Sequence, residues 1–139
     1  MKDYIVENLL WLRKYFPNVY QQFRNRQPDE TKVRLTAAKN GQTNVEVNVE
    51  DKWVSLYSRY NPELEVYRWA QQLQVESEEL ILIGFGLGYH VKALLELYPH
   101  VKVHVFEPNE NIMLAALQGG IFFDLPGARI CSVFVGCSG

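Results

Sequence analysis

The chain has 139 residues, 47% hydrophobic, 22% charged and 13% aromatic, which is the composition of one globular domain able to bury a core and excludes wholesale disorder. The net charge of −2 argues against nucleic acid as a partner. No apolar run is long enough to span a bilayer, and Asp3 and Glu7 interrupt the segment where a secretion signal would be continuous, so a soluble cytoplasmic protein with no membrane partner is expected.

Residues 4–16 predict a helix. Ile5, Leu9, Leu12 and Phe16 recur at helical spacing, with Val6 and Leu10 widening the stripe. Pro17 is expected to end or kink that helix. Residues 18–30 are polar and ambiguous in pattern, with a turn at Gln27-Pro28-Asp29. This first stretch carries a basic excess: residues 1–60 sum to +3 and residues 61–139 to −5. A solvated helix face and connector account for the excess, and a docking surface for an acidic partner or a neighbouring domain is the alternative.

Three short alternating runs follow: Val33, Leu35 and Ala37; Val45, Val47 and Val49; and Trp53 to Tyr57. Asn40-Gly41 and Asp51-Lys52 mark the turns of a small antiparallel meander with one packed face. Asn61-Pro62-Glu63 then starts a helix, with Asn61 as cap and Pro62 in the first position. Val66, Trp69, Ala70 and Leu73 form its apolar stripe, and residues 75–79 make an acidic linker.

Leu80 to Ile83 is a continuous apolar run, expected as a strand buried on both faces of a parallel sheet. Glycines lead into a helix over 88–98, which Pro99 stops. Val101 to Phe106 is a second strand. Asn109 caps a second helix ending at Gly119-Gly120, and Arg129 to Val135 is a third strand. The fold class is therefore α/β: a partial Rossmann-like, three-stranded parallel half-sheet, preceded by a helix and a small antiparallel β-meander. Residues 1–60 are expected as an N-terminal helix-plus-meander subdomain and 61–139 as a Rossmann-like half-domain. Because complete sheets of this kind carry more strands, the chain reads as a truncated piece of a longer protein. The short sheet leaves an unpaired edge, which favours a homo-oligomer.

The chemistry concentrates at Gly84-Phe85-Gly86-Leu87-Gly88-Tyr89-His90, between a strand and a helix. Glycines there permit a tight turn and close ligand approach, while exposed amides and the helix dipole favour an anion. Glu107 ends the next strand, where a carboxylate accepts hydrogen bonds from ribose hydroxyls. The candidate cofactor-binding residues are Gly84, Gly86, Gly88, Tyr89, His90 and Glu107, for a nucleotide or S-adenosylmethionine. Tyr89 occupies the third-glycine position of the dinucleotide fingerprint. The Gly-x-Gly-x-Gly spacing fits S-adenosylmethionine methyltransferases, but Leu82 stands where these usually carry an acidic residue. Glycines that merely allow close helix–strand packing are the structural alternative. Tyr89 either stacks on a base or packs at the sheet edge, and His90 either donates to a ligand or plays a capping and packing role. His104 is expected as a satisfied core residue and Cys131 as a buried small hydrophobe; His100 suggests nothing. No metal site and no catalytic residue are assigned: the three histidines are scattered, Cys137 lacks a base partner, and Ser138 lacks a nucleophile elbow.

Three segments carry a resemblance: Leu56 to Glu65, with its Ser-x-Tyr-Asn-Pro-x-x-Glu pattern; Ile81 to His90, with Gly-Leu-Gly-Tyr-His; and Val105 to Asn109, with its Glu-Pro pair. Together they resemble the N-terminal region of the motility accessory factor family over residues 50–118. Those bacterial proteins are implicated in glycosylating flagellin from nonulosonic acid donors such as pseudaminic acid. In that family the region precedes a central, sialyltransferase-like domain to which the transferase centre is attributed. The resemblance implies a noncatalytic N-terminal module, with the remainder of a glycosyltransferase and flagellin as partners. A methyltransferase-like fragment and a pure interaction domain are the competing readings.

Overall fold

The structure is a computed structural model that describes residues 2–136. Cys137 and Ser138, to which no role is assigned from sequence, lie outside the described residues. Helix α1 (Ile5–Tyr15) buries Asn8, Trp11 and Leu12, whereas Val6 and Leu10 point outward, so the apolar stripe is narrower than its sequence. Pro17 does end α1, and it also opens a second helix, α2 (Pro17–Phe23). Its missing N–H and fixed φ suit the first helical position, so the chain turns a corner into a new helix in a polar stretch whose sequence pattern is ambiguous.

Strands β1 (Val33–Ala37), β2 (Thr43–Val49) and β3 (Lys52–Ser55) form the antiparallel meander in sequential order. Val33 pairs with Val47 and Leu35 with Val45, which gathers their side chains on the packed face. The β2–β3 connection is a two-residue turn at Glu50-Asp51, both with positive φ, one residue earlier than its sequence signal. That backbone matches the strand twist even though neither residue is glycine.

Helix α3 (Pro62–Gln71) is capped as expected: Asn61 Oδ1 accepts from the Leu64 amide at 3.1 Å. Strands β4 (Glu79–Ile83), β5 (Lys102–Glu107) and β6 (Ile130–Val135) form the parallel sheet in the order β4-β5-β6. Helices α4 (Tyr89–Leu97) and α5 (Glu110–Gly119) make the two crossovers. Right-handed crossovers between successive neighbouring strands place both helices on one face. The burial alternation agrees: Val103, Val105, Ile130 and Val133 are buried, while Ile81 and Ile83 are 76% and 73% exposed. The expectation that β4 is buried on both faces is therefore corrected. Two further expectations change with it. His104 lies half-exposed on the open face, and Cys131 is exposed rather than buried.

The core runs continuously across the expected boundary at residue 60, joining Leu12, Val45 and Tyr57 to Leu94, Met113 and Phe122. Asn8, wholly buried on α1, fastens this junction. Its Nδ2 donates to the carbonyls of Ala116, Leu117 and Gly120 at the end of α5, and its Oδ1 accepts from the Phe123 amide. One side chain thus reaches the Leu117 and Gly120 carbonyls at the helix end and adds a second donor to Ala116, which already accepts from the Gly120 amide.

Candidate functional site

The strand β4 continues one step past its end, where the Gly84 amide donates to the Phe106 carbonyl at 2.7 Å. The chain then bends through Gly84, Gly86 and Gly88, all with positive φ, and Gly88 is the N-cap of α4. Phe85 and Leu87 point into the core, and Phe85 stacks on Phe122 with ring centroids 4.4 Å apart. The bend is thus anchored from below by its own odd-numbered side chains.

From above it is closed by Tyr57 and Glu107. The Tyr57 hydroxyl accepts from the Leu87 amide at 2.9 Å, and Glu107 Oε1 accepts from the Gly86 amide at 2.9 Å. The Gly88 amide donates to the Phe85 carbonyl. The amides of Gly84, Gly86, Leu87 and Gly88 are therefore all satisfied inside the protein. Gly86 is required twice over: its φ of 57° is costly for other residues, and a Cβ there would strike the Tyr57 hydroxyl.

Glu107 is almost wholly buried, and its second oxygen accepts from the Asn109 amide at 3.0 Å. Burial raises its pKa, against the opposing effect of the backbone amides it accepts from. Burial also raises the pKa of Tyr57, so the phenol is neutral throughout the physiological range. Tyr89 is pushed up to about 12, mainly by burial, and its hydroxyl donates to the Thr43 carbonyl at 2.6 Å, tying α4 to the meander. His90 packs between Tyr57 and Trp69, with ring centroids 5.7 and 4.9 Å away, and burial lowers its pKa. The structure therefore brings all six sequence-selected residues together around one bend. Glu107 faces the Gly86 amide, Tyr89 faces the meander and His90 sits in an aromatic stack. The nearby hollow of about 290 Å³ is lined by Asn61, Glu63, Tyr67, Tyr89 and Lys92 among others, and Gly84 to Gly88 do not contribute to it. On its wall Lys92 pairs with Glu63 at 3.0 Å, and it also pairs with Asp124 at 3.2 Å.

Tyr57 is the residue that motif reasoning left out of the site. Its position follows from the segment around it. Buried Asn44 donates to the Tyr57 and Ser58 carbonyls and accepts from the Tyr57 amide. Ser58 Oγ accepts from the Tyr60 and Asn61 amides, while the Glu65 carboxylate accepts from the Ser58 amide at 2.9 Å. The Ser-x-Tyr-Asn-Pro-x-x-Glu pattern is thus a hydrogen-bonded entry to α3, and it aims the preceding phenol at the glycine bend. Two segments that look independent in sequence meet at the Tyr57–Leu87 hydrogen bond.

These features define a partial Rossmann-like α/β unit joined to a meander and closed over its strand–glycine–helix turn. A solved structure shares this fold: the MAf glycosyltransferase from Magnetospirillum magneticum AMB-1 superposes with a TM-score of 0.69 at 15% identity, covering 96% of this chain and 27% of that one. The likeness shows a Maf-like fold, and the chain spans about a quarter of the length of that protein. No protein-family model matches the chain. No curated protein sequence matches it either. Among the described residues no helix is long and apolar enough to cross a membrane.

Proposed function

We propose that this chain is a noncatalytic N-terminal module of a Maf-like glycosyltransferase, acting through its surfaces rather than through the glycine bend. The observation that carries this reading is the occupancy of the bend. Two of the amides that a phosphate at this bend would approach, those of Gly86 and Leu87, already donate to Glu107 and Tyr57. The same geometry disfavours the methyltransferase-like reading, since the Glu107 carboxylate is buried and both its oxygens already accept from backbone amides. The fold likeness to a glycosyltransferase supports the parent activity. On this reading the partners are the catalytic remainder of such an enzyme and flagellin, in the bacterial cytoplasm, with a nonulosonic acid as the transferred sugar. The exposed apolar side chains Ile81, Ile83 and Phe134 supply surface for association with the rest of the enzyme.

The test combines two measurements on the full chain. Intact-mass analysis of flagellin incubated with the chain and a CMP-activated nonulosonic acid is expected to show no added sugar. Melting with CMP, nucleotide sugars or S-adenosylmethionine is expected to show no shift. A ligand at about 100 times its dissociation constant would add roughly 2.7 kcal/mol, a rise of about 9 °C for a chain of this size. Sugar transfer by the chain alone, or a shift of that size, would sink the proposal.

A further inference from the structure

The open face of the parallel sheet holds a second cluster, which the bend does not involve. Glu79 on β4, His104 on β5 and Cys131 on β6 each present one ligand atom, and the three atoms lie within 4.8 Å of one another. We propose that these residues bind Zn²⁺ or a similar borderline-soft divalent cation, through a Glu79 carboxylate oxygen, His104 Nε2 and Cys131 Sγ.

The convergence depends on an irregularity of the sheet. Val103 pairs with Ile130 but His104 pairs with Ser132, so Cys131 is an extra residue in β6. Regular alternation would send Cys131 and Ser132 to opposite faces. The bulge instead leaves both accessible, with Cys131 exposed and Ser132 half-buried. Bulges are a recurrent means of re-aiming one side chain at a site.

Ser132 then takes a defined part. His104 Nδ1 lies 2.9 Å from Ser132 Oγ, and His104 Nε2 lies 3.7 Å from Glu79 Oε1. With the Nδ1 proton on the serine oxygen, the Nε2 lone pair is directed at the carboxylate, where a cation would sit. Metal-bound histidines characteristically donate their other ring N–H in this way. Tetrahedral zinc, with bonds of about 2.0 to 2.3 Å, spaces its ligand atoms by roughly 3.3 to 3.8 Å. The observed 3.7 Å separation falls in that range. A thiolate beside an imidazole selects zinc-like ions over magnesium or calcium. Binding would expel the thiol proton and form one Cys131 Sγ–metal bond, with no change of oxidation state. Three protein ligands leave a fourth position for water or a donor atom of a second molecule. Glu79 and His104 line an open hollow of about 520 Å³ that is walled also by Ile81, Phe106 and Phe134.

The probe is Co²⁺ added to the full-length chain, followed by its thiolate charge-transfer absorption, with Zn²⁺ as competitor. One Co²⁺ per chain is expected, with a thiolate band that Zn²⁺ abolishes. Cys131→Ser should remove the band, and Cys137→Ser, which changes the only other cysteine, should keep it. Glu79→Gln and His104→Gln should each weaken binding at least about 10-fold, and Ser132→Ala by roughly 10- to 100-fold. Circular dichroism establishes that each variant is folded; Cys131 and Glu79 are exposed, so their substitution leaves the core intact. Absence of a thiolate band in the wild-type chain, its survival in Cys131→Ser, its loss in Cys137→Ser, or one metal per two chains would each overturn the assignment.

Discussion

Replacing Tyr57 with Phe removes one oxygen and little else, and it isolates the bond that closes the glycine bend. The ring is 5% exposed and packs edge-on against Tyr89 at 5.0 Å, so a phenylalanine ring keeps most of the packing. What is lost is the acceptor for the Leu87 amide, 2.9 Å away. A buried donor left without a partner costs about 1 to 3 kcal/mol, more than the net worth of an ordinary hydrogen bond. With an unfolding entropy near 2.1 cal/mol/K per residue, that lowers the melting temperature of a 139-residue chain by roughly 3 to 10 °C. Calorimetry and urea titration of the two proteins measure the difference. If the bend were instead an open ligand cradle, the hydroxyl would be dispensable. A change below about 0.5 kcal/mol would refute the closure.

Other substitutions test the remaining joints. Asn8→Ala removes the side-chain donor from the Leu117 and Gly120 carbonyls and the acceptor from the Phe123 amide, while Ala116 keeps the Gly120 amide, so a loss of roughly 2 to 4 kcal/mol in urea unfolding is expected; a loss under about 1 kcal/mol would remove Asn8 from the junction. Burial raises the Glu107 pKa above its ordinary 4.5, so the folded state holds this proton more tightly than the unfolded chain does. Its contribution is fully present below pH 4.5 and is lost as pH rises through the folded value. Glu107→Gln should therefore flatten the fall in stability across that window, measured as urea midpoints against pH, and an unchanged profile would contradict it. His90 titrates in the opposite sense. Its pKa is lowered from 6.5, so stability from this group is present above 6.5 and declines as pH falls towards the folded value; a ring NMR titration with a midpoint at or above 6.5 would contradict its burial.

Much of the architecture can be read from local patterns. Asn61-Pro62 and Asn109 cap the helices they announce, and the glycines of 84–88 sit where a strand must turn into a helix. Four features escaped for reasons that are not local. The run Leu80 to Ile83 looks buried on both sides, but which face a helix covers follows from strand order, and the order β4-β5-β6 sends both helices to one face. Period-two counting cannot see a bulge, so Cys131 reads as an interior residue until the register is known. The glycine spacing shows where amides are free to turn outward, but not that Tyr57, thirty residues earlier, already occupies one of them. His104 and Cys131 are 27 positions apart, a separation that matches no ligand spacing and becomes meaningful only once β5 and β6 are neighbours.

The most direct measurement is native-state hydrogen exchange at the Gly86 and Leu87 amides of the ligand-free chain. Closure by Glu107 and Tyr57 predicts that both exchange slowly, at rates approaching those of the central strand β5, and that CMP sugars or S-adenosylmethionine leave them unchanged. Rapid exchange of both amides in the free chain, with protection gained only when such a ligand is added, would contradict it.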